Sequence, residues 1–104
     1  MFEINDVTWF IKFVQPDDQA LYRDDGSLTI GMCDNNTQII YINGTLQGSL
    51  LKKVICHEIV HAAMFSYDVQ LDLQQEELVA DLIATYGEEI IDIANSLFFA
   101  MSNR

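Results

Sequence analysis

The sequence predicts an α+β fold, a small sheet followed by two helices. Three observations point to it: short runs of β-branched and aromatic residues up to about residue 43, turn residues between those runs, and two long apolar-periodic segments in the remainder. With 104 residues, 50% of them hydrophobic, the chain has room for one domain, residues 1–104, around one core. No internal repeat, low-complexity tract or linker divides it.

The elements follow in order. VTWFIKFV, residues 7–14, reads as a strand. QPDDQALYRDDGS is punctuated by Pro16, paired aspartates and Gly26, which suits a loop with one helical turn near Asp17 to Leu21. SLTIGMC and TQIIYIN, about residues 28–33 and 37–43, read as a hairpin joined by DNN, and Gly44 ends the pattern. A helix then runs from about Leu46 or Ser49 to Ser66. Asp72 with Gln75 has the spacing of a capping box and starts a second helix, about 73–102, with Gly87 as a weak point or kink. The expectation is a three-stranded sheet packed on two helices.

Charge and cysteine usage narrow the partners. The formal net charge is −11, and no Lys or Arg occurs between Val54 and Asn103. Such a chain repels nucleic acid phosphates and anionic membrane surfaces, so neither is expected as a direct partner. No apolar run is long enough to span a bilayer, and MFEINDVTW lacks the basic and apolar regions of a signal peptide. Cys33 and Cys56 fit no disulfide framework and read as buried thiols in a reducing cytosol.

The informative stretch is VICHEIVHAAMF, Val54 to Phe65. It is apolar enough to be buried on most sides, yet it carries His57, Glu58 and His61, which include both histidines of the chain. Burying such groups is costly unless partners are supplied. Residues four apart on a helix differ by about 40° in azimuth, so His57 and His61 share a face and can reach one cation. Glu58 lies about 100° around, placed to touch a water on that cation rather than to chelate it. This is the HExxH pattern, with two histidines on zinc and the glutamate as general base. Two core histidines hydrogen-bonded to backbone are the plainer alternative, but the spacing around a glutamate argues against it. A structural Cys/His zinc site fits less well, because Cys56 points away from His57 and no zinc-finger spacing is present.

A hydrolytic zinc site has three protein ligands and an open position. The chain has no third histidine, and an antiparallel second helix brings Glu76 and Glu77 near the level of His61. Glu77 is preferred, because Asp81 lies four residues on, placed to accept a hydrogen bond from the second ring nitrogen of His57. Glu76 remains the alternative third ligand. Both glutamates also suit the first turn of a helix on dipole grounds alone.

HEIVH at 57–61 followed by ELVAD at 77–81 resembles the gluzincin arrangement. The closer likeness is to the small ImmA/IrrE-type metallopeptidase domains of mobile elements and phages, over roughly residues 28–90. GMCDNNTQIIYINGTL, the LLKKVICHEIVHA helix and EELVADLIATYG carry that resemblance. It implies a minimal zincin-like domain with one zinc ion per chain on His57, His61 and Glu77, Glu58 as base, and Asp81 behind a ligand. It further implies that Gly31, Met32 and Cys33 form the strand edge along which an extended peptide lies, and that the substrate is a protein, in some members a repressor-type regulator. The chain departs from the resemblance in having neither a DNA-binding segment nor a third histidine for the tetrahedral intermediate. Tyr67 and Tyr86 are the tyrosines available for that role, although packing explains each more simply.

The functional expectation is a cytoplasmic zinc-dependent peptidase acting on a protein partner. A zincin-fold regulatory binding module with little turnover is the alternative, and an acidic decoy for a basic protein is a third. The SLFFAMSNR tail places Phe98 and Phe99 on the core or on a second copy, and oligomeric state is not readable.

Overall fold

The computed structural model describes residues 1–102. It has β1 (Phe2–Ile4), β2 (Val7–Val14), β3 (Gly31–Asp34), β4 (Ile39–Asn43), α1 (Gly48–Ser66) and α2 (Leu73–Ser102), with a single 3-10 turn at Gln19–Leu21. The architecture is α+β as expected, but the sheet has four strands rather than three. The additional strand is β1, which pairs antiparallel with β2 in the register Phe2↔Trp9 and Ile4↔Val7. Asn5 and Asp6 make the two-residue turn, with φ of 50° and 64°. Both residue types tolerate the left-handed region, as such hairpin turns demand.

The strand order is β1-β2-β4-β3, with β2 parallel to β4 and β3 antiparallel to β4. One side of β3 is therefore unpaired by any strand among the described residues. The hairpin lies where the sequence put it, with shifted ends. Residues 28–30 belong instead to the preceding loop: Leu28 bridges Tyr22, and the Thr29 N–H donates to the Leu21 carbonyl at 2.9 Å. At the other end, Gln38 has φ 59°. The Asp34 carboxylate takes up the Asn36 N–H at 2.9 Å and the Thr37 hydroxyl at 3.0 Å, so β4 begins only at Ile39.

Trp9, Ile40 and Ile42 of the sheet and Val54 and Ala62 of α1 form the main core. Ile40 and Ile42 alternate along β4 and so face α1 together. The Trp9 indole N–H donates to Ser66 Oγ at 2.8 Å, and that hydroxyl donates to the Ala62 carbonyl at 2.7 Å. Asn5 Nδ2 donates to the Ser66 carbonyl at 3.0 Å, so the β1–β2 turn and the strand after it both hold the C-terminal end of α1.

Helix α2 starts in the expected reciprocal box. The Gln75 N–H donates to Asp72 Oδ1 at 2.8 Å, and the Asp72 N–H donates to Gln75 Oε1 at 3.2 Å. Val60 and Met64 of α1 pack with Val79 and Ala80 of α2 in a second cluster. At about 1.5 Å per residue, α2 is roughly 45 Å long and α1 roughly 28 Å. Lys52 meets Glu88 at 2.8 Å near the start of α1, and beyond that level α2 runs past its neighbour. The helix continues as one element through Gly87, read from the sequence as a weak point or kink. Among the described residues no helix is long and apolar enough to cross a membrane.

Candidate metal centre

The α1–α2 pairing is antiparallel, and it sets the two histidines of α1 against the first turns of α2. His57 Nε2 lies 3.2 Å from His61 Nε2. The Glu77 carboxylate spans both rings, with Oε2 at 3.2 Å from His57 Nε2 and Oε1 at 2.9 Å from His61 Nε2. The two remaining ring nitrogens are also engaged by α2. His57 Nδ1 meets Asp81 Oδ1 at 2.9 Å, and His61 Nδ1 meets Glu76 Oε1 at 2.6 Å.

This arrangement has a consequence for protons. A neutral imidazole carries one N–H. With each Nδ1–H donated to its carboxylate, the two Nε2 lone pairs point at each other and at Glu77. In that tautomer the lone pairs and the Glu77 carboxylate face one another across 2.9–3.2 Å, and a cation among them would relieve the repulsion. The spacing suits that cation: donors about 2.0–2.1 Å from a common tetrahedral centre are about 3.3 Å apart. His57, His61 and Glu77 form a group that can hold a metal ion.

Asp81 lies on His57, where the sequence placed it. Glu76, the alternative ligand, lies instead on the far side of the His61 ring from the Nε2 group. Sequence reasoning sought an orienting acceptor for one histidine only. The signal was available, since a second ligating histidine needs such an acceptor as much as the first. The two orienting pairs differ in exposure: Glu76 and His61 are largely enclosed, whereas the Asp81 side chain is 66% exposed at the rim.

Glu58, 6% exposed, projects from α1 toward β3. Burial, the largest influence, raises its carboxyl above the ordinary glutamate value, with positive charge on His61 or His57 opposing the rise and Glu77 adding to it. A Cβ built on Gly31 would stand 2.8 Å from Val54 Cγ1 and 3.1 Å from Glu58 Oε2. The edge strand approaches α1 this closely only because residue 31 has no side chain. Gly31→Ala is therefore expected to cost about 1–3 kcal/mol by overpacking. Chemical denaturation checks this, and an unchanged midpoint would show that the strand yields freely.

Cys33 is half-buried beside the same group. Burial pushes its thiol well up, and the Glu58 and Glu76 carboxylates push it further. Cys33 and Cys56 are both free. Tyr67 and Tyr86 are both exposed rather than packed in the core. Tyr86, nine residues after Glu77, lies about 180° around α2 and faces away from the donors.

Fold and site together define an α+β domain whose two helices carry a His–His–Glu group able to hold a metal ion. Comparison with protein-family models, with curated proteins and with solved structures finds no match to this chain.

Proposed function

We propose that the chain is a zinc-dependent peptidase of minimal zincin type, akin to the ImmA/IrrE group, acting on an extended segment of a protein partner. The observation that carries this reading is the convergence of His57 Nε2, His61 Nε2 and the Glu77 carboxylate within 3.2 Å of one another, with each Nδ1 held by a carboxylate. Two imidazoles and one carboxylate are the donor set of hydrolytic zinc sites. Zinc bound there supplies a water of lowered pKa and a Lewis acid for a carbonyl oxygen.

The remaining chemistry belongs to the protein. Asp81 and Glu76 fix the tautomers, keeping both Nε2 lone pairs directed inward. Glu58 has no hydrogen-bond partner among the described residues, and burial makes it a stronger base than an exposed glutamate. Its Oε atoms take up the proton of the attacking water and return it to the leaving amine. The free edge of β3 offers N–H and C=O groups to an extended peptide, as in strand addition. Gly31, beside Glu58, then brings that backbone to the base.

The test is hydrolysis of a mixed peptide library by the zinc-loaded chain. Cleavage that stops when zinc is chelated and resumes when it is restored is expected. No cleavage of the library or of any unfolded protein by chain shown to hold zinc would overturn the peptidase reading and leave a binding module.

A further inference from the structure

The face of α2 that packs on α1 does not end where α1 ends. Ala80, the one fully enclosed residue of the helix, begins an apolar stripe. Steps of three and four carry it through Ile83, Gly87, Ile90 and Ala94 to Leu97 and Met101. Helix α1 extends only about one turn beyond the Lys52–Glu88 contact, and from Ile90 onward the stripe is exposed. Ile90, Ile91, Leu97, Phe98 and Met101 are each more than half exposed, Phe98 at 72%. Glu88, Glu89 and Asp92 project about 120–160° around the helix from Ala94, Glu88 toward Lys52 of α1.

We propose that this uncovered stripe is the interface between two copies of the chain, paired antiparallel about Ala94. Three features favour a second copy over other occupants. Steps of three and four residues on either side of Ala94 reach Ile90 and Ile91 in one direction and Leu97 and Phe98 in the other. An antiparallel pair about that point sets large side chains of one copy against large side chains of its partner, with the small residue at the crossing. The charge pattern agrees: two chains of net charge −11 repel overall, but this stripe keeps its carboxylates turned outward. A basic partner would find no acid in it. Area agrees as well, since covering the five exposed side chains on both copies removes on the order of 1,200 Å² from water, the lower end for a stable specific interface. The orientation follows from the helix ends. No basic residue stands in the last turn of α2, so a parallel pair would juxtapose two negative dipole ends, which the antiparallel pair separates.

Sedimentation of the full chain over a concentration series tests this. Twice the 11.9 kDa of one chain is expected for the wild type, and one chain for a Leu97→Glu, Phe98→Glu variant. That variant leaves the metal donors untouched, so unchanged helicity and zinc content show that it has folded. A wild type that sediments as one chain throughout, or a folded variant that still pairs, overturns the proposal. Orientation is read by disulfide trapping: an Ile91→Cys chain mixed with a Leu97→Cys chain is expected to cross-link, while neither does so alone. Efficient cross-linking of each variant to itself would instead exclude the antiparallel register.

Discussion

With Glu58 replaced by glutamine, the chain is expected to fold and to hold zinc as the wild type does, while peptide hydrolysis falls by about 10²–10⁴-fold, the usual contribution of a positioned general base. Glutamine matches the shape that β3 and Val54 leave for the side chain, so no cavity opens. Stability should not fall either. The raised carboxyl value means that the folded state disfavours ionised Glu58, so at neutral pH the charge costs stability and the neutral amide removes that cost. Zinc content, thermal melting and turnover measured on one preparation separate the possibilities. Retained zinc with lost turnover assigns the base. Turnover close to the wild-type value would remove Glu58 from the chemistry.

The second large effect is on metal binding. Wild-type chain is expected to hold about one zinc, as two-histidine, one-carboxylate sites do. Glu77→Ala should lose most of that affinity, since it removes the only carboxylate that touches both Nε2 atoms among the described residues. Glu76→Ala and Asp81→Ala should retain zinc with affinity lower by about 10–100-fold, the range for partners that orient a ligand. Glu76 should have the larger effect, because its contact with His61 is shorter and better enclosed than that of Asp81 with His57. Elemental analysis with chelator competition gives both numbers. Zinc absent from the wild type after metal is offered would refute the site. Zinc kept in Glu77→Ala but lost in Glu76→Ala would reverse the roles given to the two glutamates.

The parts legible in the sequence were those with a fixed local period. Four-residue spacing put His57 and His61 on one face, and the same spacing linked Glu77 to Asp81. The capping box at Asp72 and Gln75 marked the start of α2 correctly, because both of its hydrogen bonds are local. What the sequence did not disclose depended on pairing at a distance. Nothing in VTWFIKFV says that it lies parallel to β4 rather than beside the hairpin's other strand. β1 was missed because Phe2–Ile4 is too short to show alternation, although Asn-Asp ahead of a strand is a turn signal. Glu76 was judged by what stood four residues after it on its own helix, when its partner was His61 on another. Phe98 was expected on the core or on a second copy. It is not on the core, because α2 outruns α1 by several turns.

That excess length makes α2 a lever. Treated as a rigid rod resting on fully enclosed Ala80, the helix has an arm of roughly 4.5 Å to Glu77 and roughly 27 Å to Phe98. A swing of about 3 Å at the far end therefore reaches the Glu77 carboxylate as about 0.5 Å, which exceeds the tolerance of about 0.2 Å that a metal–ligand bond allows. On that picture, whatever steadies the far end would also steady Glu77, the carboxylate that faces both Nε2 atoms.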